Sequence, residues 1–282
     1  MTRQKHREGY RDERAAGSGK EWNEKRKSRR RRNRRKARIR FLASMLGTLL
    51  GAVLLVLVAY TALNLFFNFG KVSTQKLREQ GYPESLIALV ERNPETKDFV
   101  LDYPKYKGLE EIDISKEVTK GEIPHFLQWD ERWGYETYGS DFLAVTGCGP
   151  TSLSMVVCGL TGDTKWNPYE VAKMAEDNGY YVDGSGSSWG LMSSGAEKLG
   201  LTVSSVIFDA EHIRATLESG QPIICVMGPG DFTDAGHFLV LTGVDQEGDI
   251  ILQDPNSVER TKQHWDVQKL MNQMKNLWSY RV

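Results

Sequence analysis

The chain has 282 residues, and its 37 basic and 37 acidic side chains give a formal net charge of zero. This balance hides a division, because the first 40 residues carry 18 Lys and Arg against 5 Asp and Glu, and the remainder is correspondingly acidic. The division predicts a basic tail with a role of its own. Three cysteines exclude a disulfide-dense scaffold, and the roughly 210 residues beyond the tail and the apolar stretch suffice for one full-sized core.

The tail, residues 1–40, is almost wholly basic from residue 25 onward. A nucleic-acid-binding arm and the cytoplasmic flank of a membrane helix both have this composition. The next residues favour the membrane flank, because residues 41–63 carry no formal charge and are rich in Leu, Val and Ala. At about 1.5 Å per residue, such a helix spans roughly 34 Å, which is enough to cross a hydrocarbon core of about 30 Å.

We therefore predict a membrane segment over residues 41–69. A cleaved signal peptide is the alternative, but its apolar region would be shorter and would end in a small-residue cleavage site, which residues 59–63 match poorly. Because the basic residues precede the span, the N-terminus is expected in the cytoplasm and residues 71–282 outside. The chain is then a single-pass protein of the cell membrane whose tail attracts anionic lipid, and nucleic acid is not an expected partner.

Residues 70–122 are predicted to form a short helical stem. Residues 83–93 begin with a proline and carry apolar side chains at helical spacing, and Pro94 ends this helix. Four apolar residues that follow are predicted to anchor the stem on the next domain: Phe99, Val100, Leu101 and Tyr103. A packed extension of that domain is favoured over a separate functional module.

Residues 123–282 are predicted to form one α+β domain, because helices come first and strands afterwards. Helices are expected at the N-terminal side of this domain, starting at Cys148, over residues 168–178 and over residues 189–199. The predicted strands cover residues 202–208, 222–227, 237–244, 250–252 and 278–281.

Cys148 lies between two glycines, and Pro150 opens an apolar run. Proline favours the first helical turn, so the cysteine is predicted at a helix N-terminus. Free backbone N–H groups and the positive end of the helix dipole favour the thiolate there. Gly147 and Gly149 are expected to let the backbone turn and to leave the sulfur uncovered. The pattern is typical of a nucleophile, and a buried structural cysteine is the alternative.

Among five histidines, His237 is the predicted general base. His6 lies in the tail, and His125, His212 and His264 lie in polar or helical surroundings with no obvious partner. His237 instead opens an apolar strand directly after a glycine-containing loop, residues 228–236. A satisfied core histidine is the alternative.

The strand from His237 is predicted to turn near residues 246–247 and to return toward Asp254. In this register His237 lies opposite Asn256, and Leu239 lies opposite Asp254. Side chains two residues apart share a face, so the three polar side chains would project to one side, and a one-residue slip would separate them. An ordinary turn at Asp254 is the alternative.

Together these residues predict a nucleophile, Cys148, a base, His237, and an orienting carboxylate, Asp254. The imidazole would accept the thiol proton, and the carboxylate would fix its tautomer and stabilise the imidazolium. The Cys148 backbone N–H and the Gln128 side chain are candidate donors to the oxyanion of an acyl-transfer reaction.

Cys158 and Cys225 lie in apolar runs, where a small buried hydrophobic residue is the expected role. A disulfide between them is possible outside the cell and would leave Cys148 free. No histidine or cysteine pair has the spacing of zinc ligands. We therefore expect no metal and no cofactor.

Four motifs together resemble the signature of papain-like cysteine peptidases: Gln128-Trp129-Asp130, residues 147–155 around Cys148, residues 236–240 around His237, and Asp254-Pro255. Within these peptidases the chain is similar to the branch of peptidase family C-thirty-nine, whose namesakes trim double-glycine leaders from bacteriocin precursors. The resemblance covers about residues 123–282, and the stem run from Asn93 to Tyr103 also resembles that branch. It implies a papain-like fold, with a nucleophile helix packed on an antiparallel sheet, the four site residues in the roles given above, and a bacterial setting.

The expected function is that of a membrane-anchored thiol hydrolase which cleaves peptide or isopeptide bonds of a peptide or protein substrate outside the cell. Amide transfer, or cleavage of cell-wall peptides through the same acyl-enzyme, is an alternative within catalysis. A surface binding module that kept the fold without the activity is an alternative of another class.

Overall fold

The computed structural model describes residues 5–68 and 72–282. They form two compact units. The first is one helix, α1 (Lys5–Asn68), which joins the basic tail to the apolar segment without a break. Its part Glu24–Thr61 is long and apolar enough to cross a membrane, and no other helix among the described residues is. Residues 1–4 of the tail and the predicted boundary between membrane segment and stem, at residues 69 and 70, lie outside the described residues.

The second unit begins with the stem, whose regular elements are helices α2 (Thr74–Glu79), α3 (Glu84–Arg92) and α4 (Lys97–Asp102) and the 3-10 turns Pro94–Thr96 and Tyr103–Lys105. The predicted helix over residues 83–93 is α3. Phe99 and Val100 are buried as predicted, and the Phe99 ring stacks on that of Tyr135 at 4.2 Å between centroids. The prediction for Leu101 is wrong, because its side chain is exposed on the outer face of α4.

Helices and two short hairpins precede the main sheet. The nucleophile stretch forms α5 (Leu143–Thr146) and α6 (Cys148–Thr161), and the predicted second helix is α7 (Pro168–Asp177), capped by the Asn167 side chain. The predicted helix over residues 189–199 is divided into a 3-10 turn, Trp189–Met192, and α8 (Ser194–Lys198), because the Ser193 backbone leaves the helical region. The hairpins, which were not predicted, pair β1 (Thr137–Tyr138) with β2 (Asp141–Phe142) and β3 (Tyr181–Val182) with β4 (Gly186–Ser187).

The main sheet has five antiparallel strands in the order β5-β9-β6-β7-β8. The predicted strands are all present, although β5 ends three residues early and β9 begins four residues early. The sheet strands and the remaining helices are β5 (Thr202–Ser205), α9 (Ala210–Glu218), β6 (Ile223–Met227), β7 (His237–Val244), β8 (Ile250–Gln253), α10 (Val258–Thr261), α11 (Val267–Met271) and β9 (Met274–Arg281).

The sheet separates two hydrophobic cores, because side chains alternate between its faces. Ile224 of β6 and Val240 of β7 pack in the core that contains α6. Cys225 and Leu239, their neighbours along the strands, pack on the opposite face in the core that contains α9 and α11. A helix that begins at Cys148 thus lies on an antiparallel sheet, which confirms the predicted α+β class and the arrangement of the papain-like fold.

Candidate active site

Cys148 is the first residue of α6, as predicted, and its side chain is half-buried. Gly147 and Gly149 are required because neighbouring atoms leave no room for a Cβ, and not because the backbone turns sharply as predicted. A Cβ on Gly147 would lie 2.4 Å from the Leu143 carbonyl oxygen, and one on Gly149 would lie 2.4 Å from the Ser187 hydroxyl oxygen. The chain around the sulfur is therefore packed too closely for any side chain on either side of the cysteine.

The β7–β8 hairpin brings His237 to Asp254 in the predicted register. Val240 pairs with Gln253 and Leu241 with Leu252, which is the predicted register in the part of the hairpin next to the site. Between Leu241 and Gly243 the register shifts by one residue, so the part next to the turn departs from the prediction. The His237 Nε2 lies 2.7 Å from the Asp254 Oδ1, and both side chains are buried. Because Nε2 is held by the carboxylate, Nδ1 is the ring nitrogen left for the thiol.

The Cys148 thiol and the His237 ring lie close enough that each shifts the pKa of the other. Burial opposes charge on both groups, but the hydrogen bond and charge of the ring outweigh it and lower the pKa of Cys148. The backbone N–H groups of Phe238 and Gly149 also lower the pKa of Cys148. Burial likewise lowers the pKa of His237, yet the charge and hydrogen bond of Asp254 raise it to about 10. The arrangement favours a thiolate beside an imidazolium.

Asp254 is fixed on all sides. Its Oδ1 also accepts the Asn256 backbone N–H at 2.8 Å, and its Oδ2 accepts the Arg260 Nε at 2.5 Å. Burial would raise the pKa of this carboxyl, but the charges and hydrogen bonds of His237 and Arg260 lower it to about 2. Arg260 was not predicted. Its role could have been inferred, because a buried carboxylate needs a positive partner and Arg260 follows Asp254 by six residues.

Gln128 lies in the same cleft as Cys148 and is buried. Its Nε2 donates one hydrogen to the Ala144 carbonyl at 2.7 Å, which leaves the second amide hydrogen available. Its backbone N–H donates to the carbonyl of Pro255, the residue after Asp254, at 2.7 Å. The fold thus brings all four predicted site residues, distant in the sequence, to one place.

The cleft at this site has a volume of about 330 Å³. One part of its lining comes from the loop before β7, residues 230–236, and another comes from the stem. The stem residues in the lining are Leu89, Arg92 and Asn93.

The remaining cysteines are buried, as predicted, and all three cysteines are free thiols. Cys158 belongs to the core of α6 and Cys225 to the core on the opposite face of the sheet, so a disulfide between them does not form. Burial raises the pKa of Cys158 to about 12 and raises that of Cys225 as well. Neither thiol has the reactive character of Cys148.

The other histidines in residues 72–282 do have partners, contrary to the prediction. His125 Nε2 lies 2.7 Å from the Asp254 carbonyl oxygen. His212 pairs with the Asp209 carboxylate, and His264 pairs with a carboxylate at the β7–β8 turn. The acceptor for His125 lies 129 residues away along the chain, so no local sequence pattern identifies it.

Comparison with known proteins identifies a family, and several solved structures are similar to this chain. The model of the Peptidase_C39 like family matches residues 120–282. No curated protein matches the chain. A crystal structure from Bacillus anthracis, of a protein assigned to the C39-like peptidases, is 19% identical and covers 58% of this chain and 97% of its own, with a TM-score of 0.34.

Proposed function

The chain belongs to the Peptidase_C39 like family, and we propose that it is a membrane-anchored cysteine peptidase that cleaves peptide or isopeptide bonds outside the cell. One observation supports this proposal above all. The His237 ring bonds the Asp254 carboxylate through Nε2, and it shares a solvent-open cleft with Cys148, whose thiol pKa it lowers. A thiolate beside an imidazolium needs no further activation to attack a carbonyl carbon.

In the proposed reaction, the Cys148 thiolate attacks the carbonyl carbon of the scissile bond and forms a tetrahedral intermediate. The Cys148 backbone N–H and the free Gln128 amide hydrogen donate to its oxyanion. The His237 imidazolium gives its Nδ1 proton to the leaving amine as the C–N bond breaks, which leaves a thioester. His237 then takes a proton from water as the water oxygen attacks the thioester carbon. The C–S bond breaks, which releases the acid product and restores the thiolate–imidazolium pair.

The anchoring part of the proposal is supported by α1. Its apolar part is long enough to cross a hydrocarbon core, and the basic residues lie on its N-terminal side. Positive residues remain on the cytoplasmic side of a membrane. Residues 72–282 then lie outside the cell and act on substrates there.

The test uses the full chain in detergent micelles, an electrophilic thiol probe and a peptide library read by mass spectrometry. Cys148→Ala is expected to abolish both labelling and peptide cleavage, whereas the matched control Cys225→Ala leaves labelling intact because that thiol is buried on the other face of the sheet. Labelling at the wild-type level in Cys148→Ala would refute the proposal. An added amine, with product analysis, separates hydrolysis from amide transfer.

A further inference from the structure

We propose that the stem contributes residues to the active site. Asn93 and Glu95 position the Asp254 carboxylate, and Arg92 places a positive charge in the substrate cleft. The inference rests on the proposed peptidase function. It concerns residues that precede the part matched by the family, which begins at residue 120.

Asn93 connects the stem directly to the turn after Asp254. This residue ends α3 and is buried. Its Nδ2 donates to the Asn256 carbonyl oxygen at 2.6 Å and to the Asn256 Oδ1 at 3.1 Å. Its own Oδ1 accepts the Glu95 backbone N–H at 3.1 Å. One end of the amide thus caps a turn of the stem, and the other end holds the turn of the active site.

Glu95 makes a second connection to the same turn. Its carboxylate accepts the Ser257 hydroxyl, the Val258 N–H at 2.8 Å and the Glu259 N–H at 3.3 Å. These are donors at the start of α10, the helix that carries Arg260. The stem therefore holds residues 256–259 through one amide and one carboxylate.

The segment held by the stem is the one that holds Asp254. The Asn256 N–H binds one carboxylate oxygen of Asp254, and the Arg260 Nε binds the other. Loss of the stem contacts frees this segment to move, and the carboxylate then supports the His237 imidazolium less well. Residues that orient a catalytic group in this way affect reactivity through geometry, since small displacements weaken charge-assisted hydrogen bonds steeply.

Arg92 gives the stem a role in the cleft itself. Its side chain is exposed and lines the cleft, where its Nε donates to the Ala88 carbonyl of its own helix. It forms no ion pair with a carboxylate of residues 72–282. The other cation of the cleft, Arg260, is occupied by Asp254. The cleft lining also includes two carboxylates, Asp231, which pairs with Lys269, and Asp234. An acidic side chain of the substrate is therefore favoured where it contacts Arg92 itself.

The test measures the rate of Cys148 alkylation by iodoacetamide against pH in the full, detergent-solubilised chain. Asn93→Ser removes the bridge to Asn256 but keeps a hydroxyl that can cap the Glu95 N–H, and Glu95→Ala removes the second connection. Glu91→Ala is the matched control, because Glu91 is exposed on the same helix. Tyr138 and Cys225, which are also ionisable and near this site, have pKa values raised by burial. His125, which bonds the Asp254 carbonyl, has a pKa lowered by burial, and it is present in every variant, so the shift is read as the difference from the wild type.

In Asn93→Ser and Glu95→Ala the acid limb of the profile is expected to move upward by about half to one pH unit. This shift corresponds to a three- to tenfold slower alkylation below the limb, since each unit is a factor of about ten. Glu95→Gln keeps an acceptor oxygen and should retain most of the wild-type rate, and Glu91→Ala should match the wild type. For peptide cleavage, Arg92→Gln should raise KM about tenfold for substrates with an acidic residue and leave neutral ones unchanged.

Folded Asn93→Ser and Glu95→Ala variants with the wild-type profile would overturn the positioning role, and so would a slower rate with an unmoved limb. Thermal unfolding establishes that each variant is folded. If Glu95→Ala does not fold, the profile of Asn93→Ser alone tests the positioning role, because the serine hydroxyl still caps the Glu95 N–H. A wild-type chain that itself titrates like an ordinary thiol would instead refute the proposed peptidase function.

Discussion

Replacing Asp254 with Asn should narrow the pH range in which Cys148 is reactive. Asn keeps the size of the side chain and an oxygen that accepts from the His237 Nε2, so the ring stays in place. It removes the negative charge that, with Cys148, raises the pKa of His237 to about 10. It also leaves the positive charge of Arg260 uncompensated within reach of the ring.

The direction of the shift depends on His237, because cleavage requires its ring to be charged. The imidazolium is present below the pKa of His237 and is lost as pH rises through it. Without the Asp254 charge this pKa falls toward or below its usual value near 6.5, so the alkaline limb of peptide cleavage should move down by at least two pH units. With a pKa near 6.5, only about 3% of the ring is charged at pH 8, so cleavage there should fall roughly 30-fold, because a neutral imidazole does not protonate the leaving amine.

Asp254 also contributes to stability. Its pKa is about 2 in the folded protein, well below the value of 3.8 for a free side chain, so its contribution is complete above pH 4 and is lost as pH falls through 2. The shift corresponds to on the order of 2 kcal/mol, and the unpaired Arg260 adds to the loss in the variant.

The assay is the pH dependence of peptide cleavage and of iodoacetamide labelling for the wild type, Asp254→Asn and the control Asp249→Asn, which lies at the other end of the same hairpin. The control should keep the wild-type profile. An unmoved alkaline limb in folded Asp254→Asn would refute the reasoning that the carboxylate sets the charge of the ring.

Three further predictions concern the neighbours of the nucleophile. Gln128→Ala should lower kcat about 100- to 1,000-fold and leave alkylation of Cys148 unchanged, because only the oxyanion needs this donor; equal kcat would contradict that role. Gly149→Ala should lower the free energy of unfolding by about 1–3 kcal/mol in urea denaturation, because its Cβ would collide with the Ser187 hydroxyl, and an unchanged midpoint would contradict the packing argument. Arg92→Glu should reverse the preference of kcat/KM from acidic to basic peptides in the library assay, and an unchanged preference would remove Arg92 from the substrate cleft.

Local patterns in the sequence were enough to predict the helix and strands that carry the site residues. Pro150 after a glycine-flanked cysteine predicts the start of α6, because proline fits the first turn. The period of two along β7 and β8 determines which side chains share a face, so the proximity of His237 and Asp254 could be predicted from an assumed register. The one-residue shift between Leu241 and Gly243 was not part of that prediction.

Contacts between distant segments could not be predicted in this way. Arg260 is one charged residue in a polar run, and its role appears only where α10 folds back on Asp254. Asn93 is separated by 163 residues from Asn256, and no spacing rule relates them. Leu101 is apolar, as an anchoring residue should be, but its side chain is exposed because it lies on the face of α4 that points away from the following domain.

The pKa of the Cys148 thiol tests the central claim most directly. It is obtained from the ultraviolet absorbance of the thiolate against pH, as the difference between the wild type and Cys148→Ala. The wild-type thiol should ionise below the usual range of a cysteine, and in His237→Ala its pKa should rise to that range or above it, because burial then acts without the opposing ring. The same ordinary pKa in both proteins would contradict the pairing of Cys148 with His237 and the peptidase mechanism that depends on it.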